Sequence, residues 1–79
     1  HPNVGDSDLW RRSIRNLGRG LEAGARRRLV GPPTFEAIFM EEVGEALQEL
    51  DDDARLEEEL VQVAAVAVAW VEAIRRRRP

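Results

Sequence analysis

From Leu60 to Val71 the chain is apolar at every position except Gln62, and this stretch narrows the possible folds more than any other. Leu56, Leu60, Val63, Ala67, Trp70 and Ile74 recur at spacings of four and three, the seam of a helix in a bundle. The positions between them are apolar as well, and a helix that is apolar all round is buried all round. A chain of 79 residues has too few other helices to enclose it. The expectation is an all-α chain that associates with itself, most simply as a dimer, through the helix over residues 60–74. The same length implies a single domain, 1–79, that buries only roughly 60% of its unfolded surface and gains from partners.

Two further helices are readable and no strand is. The first is expected from about Asp8 to Leu29, with Ser7 or Asp6 as its N-cap and Gly31-Pro32-Pro33 as its stop. Trp10, Ile14, Leu17, Leu21 and Ala25 share one arc of it, and Arg11, Arg12, Arg15, Arg19 and Arg26 the opposite one. Gly18, Gly20 and Gly24 each cost about 1 kcal/mol relative to Ala, so a break or fraying is expected there unless tertiary contacts hold the helix. The second helix is expected from Phe35 to Leu50 behind a Thr34 cap. The third is expected from Asp53 or Ala54 to Arg76, with acids at its positive end and Arg75 to Arg78 at its negative end.

Composition excludes several classes of function. There is no Cys, hence no disulfide framework, thiolate metal site or cysteine nucleophile, and a cytoplasmic setting fits. No apolar run approaches the ~18 residues of a membrane span. The chain begins with His1 rather than Met, as expected of a processed or N-terminally truncated protein. The runs Arg26-Arg27-Arg28 and Arg75 to Arg78 invite a nucleic-acid reading, but the net charge is −3 and no aromatic residues interleave them. No nucleic acid and no membrane are expected as partners. Trp10 and Trp70 each sit on an apolar stripe and are expected to pack in the core.

The chemistry lies in Glu41-Glu42-Val43-Gly44-Glu45 and, after the acidic turn Asp51-Asp52-Asp53, Glu58-Glu59-Leu60-Val61-Gln62. A hairpin about that turn sets Glu45 opposite Glu59 and Glu42 opposite Gln62. Four oxygen-bearing side chains then meet at one level. Carboxylates crowded in this way repel unless protonated or bridged by cations, and oxygen-only ligands suit Mg²⁺ or Mn²⁺ rather than zinc. Solvated surface is the commoner use of a Glu-rich helix face. Against it, Glu59 and Gln62 share an arc with Val66, Ala69, Trp70 and Ala73, and Glu42 borders the apolar arc of its own helix.

Glu42-Val43-Gly44-Glu45 ahead of Glu59-Leu60-Val61-Gln62 resembles the MazG-like, all-α nucleoside triphosphate pyrophosphohydrolases, whose pattern is EExxE, a spacer, then ExxD. The likeness spans about residues 32–75 and includes the Ala-Val-rich helix after the second half. The resemblance implies a helical bundle that cleaves a nucleoside triphosphate between its α and β phosphates, releasing a monophosphate and pyrophosphate. It implies Glu42, Glu45 and Glu59 as ligands of Mg²⁺ or Mn²⁺, with Gln62 in the fourth position. Gln62 stands where the family has Asp; an amide oxygen ligates without charge, so metal affinity should fall. Glu41 or Glu45 would orient the attacking water, and Arg11, Arg12, Arg15 or Arg19 would clamp the triphosphate, since guanidinium forks match phosphate oxygens. The alternative is a non-catalytic module for nucleotide binding, helical dimerisation or an adaptor role, in which the third helix is the function.

Overall fold

The computed structural model describes residues 4–79 and consists of α1 (Val4–Arg27), α2 (Phe35–Leu47) and α3 (Asp53–Arg77), with no strand among them. The helix starts follow the caps. The Thr34 side chain accepts from the Ala37 N–H at 3.2 Å, and Asp52 accepts from the Arg55 N–H at the same distance. Each satisfies a donor that the first turn would otherwise leave unpaired, a contribution of about 1 kcal/mol.

α2 lies in the middle, and among the described residues α1 and α3 each pack on it and not on one another. The result is one layer of helices, 51 × 25 × 22 Å, rather than a closed bundle. Successive helices run antiparallel, as short connections require. Its core is small: the buried residues are Ala25, Ala37 and Ala46 with Gly18 and Gly44, and among the described residues no large side chain is fully buried.

The two helix contacts differ in kind. α1 crosses α2 glycine against glycine: a Cβ on Gly44 would lie 2.6 Å from the Gly18 carbonyl oxygen, and one on Gly18 would lie 2.7 Å from that of Gly44. α3 meets α2 through aromatic rings. Trp70 stacks on Phe35 with centroids 6.3 Å apart and meets Phe39 edge-on at 5.8 Å, arrangements that suit the ring quadrupoles. Arg11 and Arg15 pair with Asp51, and Arg11 also donates to the Leu50 carbonyl, pinning the α2–α3 turn to α1.

Several expectations are corrected. The first helix is unbroken and begins at Val4, so Asp6 and Ser7 lie within it and do not cap it. Gly18 supports the helix through the crossing, while Gly20 and Gly24 face open space. α2 stops at Leu47 rather than Leu50: Gln48 leaves the helix, its backbone N–H bonding Glu45 and its side chain folding back onto the Gly44 carbonyl at 3.0 Å. Trp70 packs as expected, but Trp10 is 67% exposed and joins no core. Leu60 is also exposed, so within the chain the third-helix seam rests on Leu56, Val63, Ala67, Trp70 and Ile74. No described helix is long and apolar enough to cross a membrane. His1 lies outside the described residues.

Candidate metal centre

α2 carries its carboxylates at spacings that place them on one side: Glu41 and Glu45 four apart, Glu42 and Glu45 three apart. Glu45 stands between two groups. One carboxylate oxygen from each of Glu42, Glu45 and Glu59 lies within 4.8 Å of the others, and the same holds for Glu22, Glu41 and Glu45. The antiparallel run of α3 beside α2 brings Glu59 in. The Gly18–Gly44 crossing brings Glu22 in, because a Cβ at position 44 would sit 2.8 Å from the Glu22 backbone nitrogen. The glycine inside Glu42-Val43-Gly44-Glu45 is therefore what lets α1 reach the site.

The two groups are satisfied differently. The Arg26 guanidinium reaches Glu22 at 2.8 Å, Glu41 at 3.0 Å and Glu45 at 3.7 Å, so the group facing α1 has a cation of its own. Those three carboxylates in turn raise the Arg26 pKa, with the Glu41 hydrogen bond the largest cause. Gln48 also donates to Glu22, at 2.8 Å.

In the group facing α3, Glu42 and Glu59 have no ion-pair partner among the described residues, and Glu45 has only Arg26, at 3.7 Å. Burial first, and then the negative charges of Glu59 and Glu41, raise the Glu42 carboxyl above its ordinary value. Glu45 is pushed up to about 7, by burial first, then by its contact with Glu59 and by the Glu42 charge. Glu45 and Glu59 face one another, yet two ionised carboxylates have no hydrogen to share. Glu59 Oε2 is almost without accessible surface and, among the described residues, without a hydrogen-bond partner. A proton on Glu45 is one remedy. A cation is the other, and the donor set fits a hard divalent ion: three carboxylates, all oxygen, converging from two helices.

Gln62 is exposed, on α3 one turn beyond Glu59. The arginines singled out in the sequence are placed elsewhere. Arg11 and Arg15 hold Asp51, Arg19 donates to Asn16 of its own helix, and Arg12 is exposed. The guanidinium groups at the acidic surface are instead Arg26 and Arg55, the latter 3.9 Å from Glu49. With Glu22, Glu45, Gln48, Glu49 and Glu59, Arg55 lines an open depression of about 290 Å³ beside the carboxylates. A larger cavity, about 540 Å³, lies over Gly20, Gly24 and Met40 and holds none of the clustered carboxylates, so the chemistry favours the smaller one.

Glu22 and Arg26 went unread in the sequence as site residues. Their sequence signal was an i, i+4 acid–base pair one turn beyond Gly18; the meeting of Gly18 with Gly44 belongs to the fold. Comparison with protein-family models, with curated proteins and with solved structures finds no match to this chain.

Proposed function

We propose that this chain is a metal-dependent nucleoside triphosphate pyrophosphohydrolase that acts as a homo-oligomer. One observation carries the reading: Glu42, Glu45 and Glu59 converge within 4.8 Å, no cation among the described residues pairs with Glu42 or Glu59, and Glu59 Oε2 is shielded from water without a donor among them. The resemblance of these residues to the MazG-like pattern supplies the reaction class. Glu42, Glu45 and Glu59 would hold Mg²⁺ or Mn²⁺, with Gln62 as a neutral fourth ligand. Such an ion neutralises phosphate charge and lowers the pKa of bound water.

The chain's own residues supply the rest. Glu45, between the two carboxylate groups, is placed to accept a proton from water attacking the α phosphorus while the bond to the pyrophosphate oxygen breaks. Glu41 is held by Arg26 and positions that guanidinium at the rim of the carboxylate cluster. Arg26 and Arg55, rather than the arginines near the start of α1, are the donors within reach of an anionic substrate beside the carboxylates.

Incubation with Mg²⁺ or Mn²⁺ and a panel of ribo- and deoxynucleoside triphosphates, with products resolved by chromatography, tests the reading. Monophosphate and pyrophosphate that disappear in Glu42→Gln are the expected result. No turnover with any nucleotide leaves the second reading, a non-catalytic nucleotide-binding or dimerisation module. The exposed, uncharged Gln62 favours that alternative.

A further inference from the structure

We infer that the end of the molecule where α2 begins binds single-stranded nucleic acid, with phosphates on the arginines that end α1 and α3 and a base on Phe35. This goes beyond the reading above and does not depend on it. α1 and α3 flank α2 and each run antiparallel to it, so both carry their C-terminal arginines to the end where α2 starts. Thr34 and Glu36 line one cavity together with Arg28 and a second together with Arg76 and Arg77, so guanidinium groups stand on both sides of that first turn. In the sequence the two arginine runs are far apart, and no aromatic residue interleaves them. The fold supplies what the sequence lacks: the second cavity, about 410 Å³, is also lined by Phe35 and Trp70.

This charge has no use inside the fold. Arg27, Arg28 and Arg75 to Arg78 are all exposed, and none makes an ion pair among the described residues, whereas Arg26 is held by three carboxylates. The negative end of a helix amounts to roughly half an elementary charge, so the guanidinium groups that close α3 exceed what its dipole needs. Glu36 and Glu72 are the carboxylates on the adjoining turns, too few to neutralise them. Glu45 and Glu59 lie roughly 15–17 Å along their helices from Phe35 and Trp70, beyond the screening length of about 10 Å at 0.1 M salt. The rings decide which anionic partner fits. Phe35 and Trp70 stack within 9° of parallel and Phe35 is exposed, so a planar base adds to the stack while its neighbouring phosphates reach Arg76 and Arg77. An acidic peptide or an anionic lipid surface would use the arginines and leave the rings idle. In a duplex the bases are already stacked on one another, so the fit is to a single strand.

Fluorescence anisotropy of a short labelled oligothymidylate, titrated with the full chain in a chelating buffer, tests the proposal. With about four phosphates engaged, affinity should fall roughly fifty-fold between 50 and 200 mM salt, from a slope near −0.7 per contact. Replacing both Arg76→Gln and Arg77→Gln should about halve that slope. Phe35→Leu should weaken binding by about fivefold or more and leave the slope unchanged, because stacking releases no counterions. An abasic strand of the same length should lose a similar factor against the unaltered chain, which keeps the test valid where the Phe35 variant fails to fold. Glu36→Gln should tighten binding, and Glu57→Gln, at the start of α3, should not change it. In Trp10→Phe the remaining tryptophan emission, from Trp70, should be quenched by the strand. Absence of binding at low salt overturns the proposal, as does equal affinity for the oligothymidylate and its abasic counterpart. Binding to polyglutamate or to anionic phospholipid vesicles as tight as to the strand overturns it too. None of these readouts involves metal or nucleotide turnover, so this proposal and the function above fail separately.

Discussion

Gly18 and Gly44 meet where α1 crosses α2, each so close that a Cβ would fall within 2.7 Å of the other's carbonyl oxygen. The obstructing atoms are backbone, which cannot rotate away. Gly44→Ala must therefore push the helices apart, at about 1–3 kcal/mol or more, and should also withdraw Glu22 from Glu41 and Glu45. A Cβ at Gly20 would meet nothing within 4 Å, so Gly20→Ala should stabilise by about 0.5–1 kcal/mol through helix propensity alone. Urea unfolding at fixed protein concentration separates the two. Equal effects from both substitutions would remove the crossing from the account.

Trp70 links α3 to α2, lying against Phe35 and Phe39. It is half-buried rather than enclosed, so Trp70→Ala should cost about 2–4 kcal/mol, toward the lower part of the range for large aromatic truncations. Trp70→Phe should retain most of that. Trp10 is exposed, so Trp10→Phe should leave stability within about 0.5 kcal/mol. Denaturation followed by fluorescence in the two single-tryptophan variants reads both: Trp70 emission should shift on unfolding, and Trp10 emission should hardly move.

Much of this architecture is local, and for that reason it was legible. Thr34 and Asp52 are capping residues in capping positions, and the short acidic turn fixes the register that sets Glu45 beside Glu59. The position of α1 was not legible. It depends on a close approach between residues far apart in the chain, and glycine seen in sequence registers as helix-weakening before it registers as room for a neighbour. Once Gly18 sits on Gly44, Glu22 and Arg26 arrive at the carboxylates together. The early end of α2 was hidden for a related reason: Gln48 folds back on Gly44 and also donates to Glu22, and the second bond exists only after α1 docks. Exposure of Trp10 and Leu60 could not be read from periodicity, which marks an apolar face without naming what covers it.

Glu45 makes stability depend on pH in a direction opposite to that of a salt-bridged acid. In the unfolded chain its carboxyl loses its proton near 4.5; in the fold it holds it to about 7. Between those values the folded state binds more protons, so stability falls as pH rises through this window and stays low above it. The loss is on the order of 1–3 kcal/mol, discounted because the side chain is partly exposed. Metal-free thermal melts from pH 4.5 to pH 8 should show a declining midpoint, and Glu45→Gln should flatten it. A midpoint that climbs across this range would falsify the assignment.

The same crowding gives Glu59→Gln effects of opposite sign with and without metal. In a chelating buffer near neutral pH the substitution removes one of three converging charges and supplies a donor, since the new amide can bond Glu45. The melting midpoint should therefore rise. In Mn²⁺ the wild type should gain stability by mass action, about 2.7 kcal/mol when the ion is at a hundredfold excess over its dissociation constant. Glu59→Gln should gain much less, because a bridging carboxylate has become a neutral amide. Glu58→Gln is the control: Glu58 is the adjacent α3 carboxylate, exposed and outside the cluster, and its loss should change neither midpoint. A Mn²⁺ response that survives in Glu59→Gln and vanishes in Glu58→Gln would relocate the ion, whereas the crossed signs at Glu59 alone tie it to the gap between α2 and α3.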